Sequence, residues 1–295
     1  MTEKSVPFRL DVVKHYPPQG SLRQYRLAKA TSFTCGRCRG DKTAKLVATV
    51  DGAWEPLLCN GCYGWLLSVW KVKASALGES ARDAELTRLL REQVTEPQVR
   101  RAGTRLGQDD ARLARLSPEA MTMLATVEVV VEAFKDRTPT DLDWSAAVVG
   151  LCKAVELEVV RLFAVPLRQG TTGVDLSADR SVQGFKHMLD FCTRGREITL
   201  GQVAYFLRVL TEAPRSDSPL VRATRLLSAR WPRSDWLFAP SGLVDSLLTL
   251  TREHRNPAAH TGVLSQADYL LCLDRVRGTD GILPRLLDAV DPVRR

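Results

Sequence analysis

The hexapeptide Arg255-Asn256-Pro257-Ala258-Ala259-His260 puts a cation, an amide and an imidazole within one bend of backbone. Arginine is permanently charged and can clamp phosphate with a planar fork of N–H donors. Histidine is the side chain whose unperturbed pKa lies near working pH, so it can take or give a proton. Together they are a minimal kit for cutting a phosphodiester without a metal. On a straight helix, positions five apart point about 140° away from each other. Pro257 relieves this, because it disfavours the helical region for Asn256 and is at ease at a first helical position. Asn256 is a good N-cap. The sequence therefore predicts a helix ending near Arg255, a kink, and a new helix from Pro257, with Arg255 and His260 facing one space. Asn256 is shared between orienting the site and capping the helix.

Each residue has a plainer reading too. Arg255 at a helix C-terminus suits the macrodipole on its own, and His260 could be a half-buried ring satisfied by a backbone carbonyl. Arg252 and His254 read as a solvated face. Lys153 and Glu156, one turn apart, read as a surface pair or a support for the motif. Cys152, Cys192 and Cys272 sit among apolar neighbours and read as buried free thiols.

The other four cysteines have a different pattern. Cys35-Gly36-Arg37-Cys38 and Cys59-Asn60-Gly61-Cys62 are separated by 20 residues. Between them Ala44–Val50 reads as a strand, Asp51-Gly52 as a two-residue turn, and Ala53–Cys59 as the returning strand. Two such knuckles joined by a hairpin are the layout of a zinc ribbon. Each knuckle supplies two thiolates to a tetrahedron, and with all four positions filled the ion is structural, one Zn2+ per chain. The rival reading, two redox pairs, lacks the βαβ context that such pairs need.

The chain has 295 residues, 44% hydrophobic and 26% charged, with a net charge of +8. That is a globular balance with room for two domains. The charge is uneven: residues 1–75 carry 12 Lys and Arg against 5 Asp and Glu, and the rest is nearly neutral. A basic region of this kind suits a polyanion, although metal-bound thiolates cancel part of it. Arg37, Arg39, Lys42 and Lys45 flank the first knuckle and are candidates for nucleic-acid contact. An exposed aromatic among Tyr63, Trp65 and Trp70 would add base stacking; a protein-docking role for the ribbon is the alternative. There is no apolar leader or membrane-length run, so a soluble cytoplasmic protein is expected.

The remaining pattern is helical. Residues 1–30 read as a basic arm, 31–74 as the ribbon, 75–116 as a charged helical linker and 117–295 as a bundle. Ser117-Pro118 opens a helix to about Lys135. Trp144 to about Phe163 follows, capped by Asp141 or Asp143. Thr199-x-x-Gln202 has capping-box form and leads to about Glu212. Ser218–Ser228, Ser241–Arg255 and Ser265–Val276 complete the series, and the reading is weak from about 164 to 197.

Arg255-Asn256-x-x-x-His260, at the end of an amphipathic helix in an all-α C-terminal half, resembles the signature of HEPN domains. The segment Asp143-Trp144-Ser145-Ala146-Ala147 to Glu156 is similar to an early helix of HEPN-like bacterial proteins. The likeness covers about residues 117–290. It implies a mainly α fold, an HEPN-like bundle beside the small β-hairpin ribbon, and a homodimer whose paired motifs form one cleft. It also implies a metal-independent endoribonuclease with Arg255, His260 and Asn256 as catalytic residues, cleaving RNA by attack of its own 2′-hydroxyl, in a toxin or phage-defence setting with a protein inhibitor as a further partner. Two alternatives stay open: an HEPN protein that binds RNA or a nucleotide without cutting, and a transcription-associated zinc-ribbon DNA binder with a helical dimerisation domain.

Overall fold

The structure, a computed structural model, describes residues 10–133, 143–212, 218–260 and 262–291. It is mainly helical, with one antiparallel sheet at the N-terminal end in the order β1 (Val12–His15), β2 (Leu22–Thr34), β3 (Asp41–Val50) and β4 (Ala53–Leu58). Asp51 and Gly52 both take positive φ, 50° and 80°, the two-residue turn that the sequence predicts between β3 and β4.

Side chains alternate across the sheet. Leu22, Ala48 and Leu58 face inward and join the main core, whereas Leu27, Val47 and Leu57 form a small separate cluster on the outer face with Tyr25 and Phe33 against it. Residues 10–30 are thus strands, not an arm. Arg23, Arg26 and Lys29 interrupt the apolar alternation of β2, and its register with β3 slips between Arg26 and Thr31, which hides the strand from a period-two reading.

Helix α1 (Asn60–Lys73) starts at the second cysteine knuckle and lies against the inner face, with Cys62, Tyr63, Leu66 and Val69 buried. Gly20, at φ +59°, ends against it: a Cβ there would stand 2.2 Å from the Trp70 indole. Both the conformation and the contact require glycine.

The charged stretch after α1 forms α2 (Glu79–Arg91) and α3 (Glu96–Asp109). It is no linker, because Leu86 and Leu90 of α2 are fully buried against α5 and Leu106 of α3 is buried too. Most of the charges lie on the outer faces, but Asp83 of α2 is buried. One apolar cluster runs from Leu22 through Leu86 to Leu287, so ribbon and bundle share a core.

The bundle continues with α4 (Pro118–Glu132), α5 (Ser145–Val159), α6 (Val165–Gly170), α7 (Lys186–Arg194), α8 (Leu200–Glu212) and α9 (Pro219–Ser228). It closes with α10 (Asp235–Phe238), α11 (Leu243–Thr249), α12 (Asn256–Ala259), α13 (Gln266–Arg277) and α14 (Ile282–Val290). The predicted caps at Ser117 and Thr199 are in place: Ser117 accepts from Ala120 N–H, and Thr199 and Gln202 bond reciprocally; Ser218 also caps its helix, accepting from Val221 N–H. Asp143 accepts from Ser145 N–H; Asp141 and Lys135 lie outside the described residues. Helix α5 is the central one, and a Cβ on its Gly150 would stand 2.6 Å from Val127 and 3.0 Å from Leu90, so α4 and α2 pack tightly on it.

Two segments are wound as wide π turns, Val160–Ala164 and Leu250–Arg255. Each lies just ahead of a proline, Pro166 and Pro257. Proline lacks an N–H and crowds the carbonyl four residues back, and a wider turn relieves both problems without ending the helix. Among the described residues, no helix is long and apolar enough to cross a membrane.

Candidate functional site

The proline solution changes the geometry expected of the hexapeptide. Asn256 has helical φ and ψ of −64° and −47°, so it caps nothing, and the chain passes through Pro257 as helix until His260, which is extended. The kink is absent. Arg255 and His260 nevertheless meet the same element, helix α2.

Arg255 is 2% exposed. Its Nε and Nη2 donate to Asp83 Oδ2 at 3.1 and 2.6 Å, Nη1 pairs with Glu79, and Nη1 also donates to Asn256 Oδ1 at 3.2 Å. Glu79 and Asp83 lie one turn apart on one face of α2. Burial pushes the Asp83 carboxyl above its usual range, and Arg255 opposes that push. The arginine expected to clamp phosphate is therefore turned inward, because two carboxylates of the supposed linker neutralise it.

His260 is exposed and faces Arg82, which lies between those carboxylates in sequence. Arg82 Nη1 is 3.2 Å from His260 Nδ1 and 3.1 Å from Ala259 O, and Nη2 donates to Ser75 O and Leu77 O at 3.3 and 3.0 Å. A guanidinium is donor only, so Nδ1 accepts and the ring is held as the Nε2–H tautomer. Arg82 is the residue the sequence reading missed. It lies within the stretch 75–116, which the sequence presents as a charged helical linker, and nothing local sets it apart from the other arginines there.

The loop after His260 is tied to α1. Lys73 is 5% exposed, and its Nζ donates to Asp143 Oδ2 and Ser145 Oγ, each at 2.8 Å, and to Gly262 O. Asp143 also accepts from Leu264 N–H at 3.4 Å. The last turn of the ribbon's helix thus holds the far end of the motif loop. Glu156 is buried, pairs with Lys153, and accepts from Leu200 N–H at 2.9 Å, which places it at the start of α8. His254 is buried rather than solvated, and burial, with Arg275 nearby, lowers its pKa. Arg252 is exposed as expected; Cys152 and Cys272 are buried, and Cys192 is half-buried.

Cys35, Cys38, Cys59 and Cys62 come together with all four Sγ atoms within 4.8 Å of one another, a group able to hold a metal ion. Cys38 and Cys59 Sγ stand 3.9 Å apart, against an S–S edge of about 3.8 Å for a tetrahedron with Zn–S bonds of about 2.3 Å. The first knuckle is shaped by the β2–β3 turn, where Cys35 N–H reaches Gly40 O and Gly36 N–H reaches Leu57 O. Cys59 and Cys62 begin α1. Cys35 and Cys62 share a hydrogen bond that lowers the pKa of the first and raises that of the second, so the two thiols hold a proton between them.

The four candidate nucleic-acid contacts separate. Arg37 is 5% exposed: its guanidinium lies 4.0 Å over the Trp65 ring and reaches Cys62 Sγ at 3.9 Å, so it serves the thiolates and the seam between ribbon and bundle. Arg39, Lys42 and Lys45 are exposed. Tyr63 is buried, Trp65 donates to Leu89 O at 3.2 Å, and Trp70 packs on Gly20, so none of these rings is an open stacking surface.

No family model, no curated protein and no solved structure matches this chain.

Proposed function

We propose that this chain is a metal-independent endoribonuclease acting through His260 and Arg82, with zinc in the four-cysteine group. The observation that carries the reading is the exposed imidazole held at 3.2 Å from a guanidinium. It pairs a proton-transfer group with a phosphate-binding cation at one surface point. The resemblance of the hexapeptide to the HEPN signature supports the same chemistry. An incoming phosphodiester competes for Arg82, whose Nη1 turns from Nδ1 to a phosphate oxygen. The freed ring accepts the proton of the RNA 2′-hydroxyl, the O2′–P bond forms, the P–O5′ bond breaks, and the O5′ leaving group takes that proton from the imidazolium, which restores the neutral ring. The products carry a 2′,3′-cyclic phosphate and a 5′-hydroxyl. Arg255 acts as a positioning residue that fixes α2, and through it Arg82.

A second copy completes the cleft. Val263, Leu270 and Leu271, in the loop after His260 and on α13, are exposed and supply an apolar face for pairing. A cytoplasmic setting in toxin or phage-defence systems follows from the family likeness. One observation favours the non-cutting alternative, in which the chain binds RNA without cleaving it: Arg255 is buried and neutralised.

The test is incubation of purified protein with RNA in excess EDTA, beside His260→Ala and a DNA analogue of a cleaved RNA. Wild type should cut the RNA and spare the DNA. The variant should lose about 100-fold or more in rate, the usual size of general acid–base catalysis. Equal cutting by H260A, or cutting that vanishes with the chelator, defeats the reading.

A further inference from the structure

The outer face of the sheet carries a feature that the hexapeptide does not explain. Three aromatic rings run across the strands there. His15 of β1 meets Tyr25 of β2 edge-on with centroids 5.1 Å apart, and Tyr25 meets Trp54 of β4 at 4.6 Å with the planes tilted by 35°. Trp54 is 39% exposed, the most exposed tryptophan among the described residues. The apolar patch beneath is small, made by Leu27, Val47 and Leu57, and among the described residues no helix packs in this cluster. A tryptophan lying on a tyrosine at a sheet surface keeps one ring face in water at a hydrophobic cost, unless a flat partner occupies it.

The charges around the rings say which partner. In residues 10–58, lysine and arginine outnumber aspartate and glutamate by 8 to 4. Lys45 shares the outer face with Val47 by strand alternation, and Arg39 and Lys42 are exposed at the knuckle end of the same strand pair. Aromatic faces interleaved with cations on an open sheet suit the bases and phosphates of a single strand, and duplex hides those bases.

We propose that this sheet face binds single-stranded RNA, with a base stacked on Trp54 and the backbone led past Lys45. The site rests on the assignment of RNA as partner and is independent of cleavage. It is separate from His260 in sequence and lies on a different element.

The experiment measures anisotropy of a labelled, 2′-O-methylated single-stranded oligonucleotide, which lacks the 2′-hydroxyl and cannot be cut. Trp54→Ala should weaken binding by about 5- to 150-fold, the range for loss of one stacked base. Trp54→Phe should stay within about threefold, and neither should alter the metal content. Lys45→Gln should instead lower the slope of log K against log salt by about 0.7. Photocrosslinking of a 5-bromouridine oligonucleotide to wild type should map to peptides holding Tyr25 or Trp54, so misfolding of a variant cannot mask the answer. Unchanged affinity in Trp54→Ala, crosslinks confined to the bundle, or duplex bound as tightly as single strand overturns the site while leaving RNA as partner intact. Absence of any binding by wild type overturns the site outright, and the chelator assay decides the cleavage reading separately.

Discussion

Arg255 and Asp83 meet through two N–H donors on one carboxylate oxygen, at 3.1 and 2.6 Å, and both side chains are shielded from water. The contact joins residues 172 apart in sequence and sets the orientation of α2 against the motif. A buried pair of this kind has a large breaking cost, because removing one charge strands the other.

The strength of that pair should depend on pH in a defined direction. Burial holds the folded-state pKa of Asp83 above its ordinary value, and Arg255 is the main influence lowering it. A carboxyl raised on folding contributes most below its unfolded pKa, and that contribution is lost as pH rises through the folded value. Arg255→Met keeps the aliphatic stem but removes the counter-charge, so Asp83 rises further and the loss deepens. The destabilisation of R255M should be smallest at the acid end, where Asp83 takes up its proton, and should grow to about 3 kcal/mol at neutral pH. Urea unfolding of both proteins across this range gives the difference. A pH-independent difference, or one that shrinks as pH rises, would show that the pair is not what holds α2.

The difference between what was legible and what was not follows from physical range. Local rules reveal the cysteine knuckles, the Asp51-Gly52 turn and the caps at Ser117 and Thr199, because each is settled within about four residues. Pro257 does disturb the helix, but it widens a turn instead of ending one helix at Arg255 and opening another. Asn256 is a good cap only where a helix ends, and a π turn let this one continue. Helix α2 was read as a linker because its charges are frequent, yet Glu79 and Asp83 are the partners of Arg255. Nothing local marks a carboxylate as the counter-ion of an arginine 172 residues away. The same limit misplaced Arg37: a basic residue beside a metal knuckle reads as a phosphate contact until Trp65 and the thiolates are seen to enclose it.

The four-cysteine group should hold about one metal equivalent per chain, and its loss should be felt beyond the sheet. Cys38→Ser removes one of four ligands and should abolish stoichiometric metal on elemental analysis. Structural zinc contributes directly to folding free energy, since the site does not exist in the unfolded chain. Because the sheet and bundle share one core, the variant and chelator-stripped wild type should both melt several degrees lower, roughly 2–4 °C for each 1 kcal/mol lost in a chain of this size. A metal content near zero in wild type would remove the assignment. An unchanged melting temperature after complete stripping would show that the cysteines hold the fold without an ion.

Lys73 offers the sharpest test of whether that metal module and the hexapeptide act on each other. Its ammonium satisfies Asp143, Ser145 and the carbonyl of Gly262 together, at the last turn of a helix whose first turn carries Cys62. Lys73→Met preserves the buried stem but leaves Asp143 without its cation, at a cost on the order of 3 kcal/mol. The local effect should exceed the global one, because α5 and α2 remain packed through Gly150 and Leu90. Hydrogen exchange should therefore accelerate in the peptide spanning 259–266 while the centre of α5 stays protected. If His260 cleaves RNA, K73M should lower that rate with the ring itself intact, since Arg82 bonds Ala259 at the near end of the same loop. Uniform acceleration across the bundle would mean that Lys73 serves global stability alone. Unchanged exchange at 259–266 would mean that the loop is held by Arg82 and the Asp143 contact to Leu264 without the lysine.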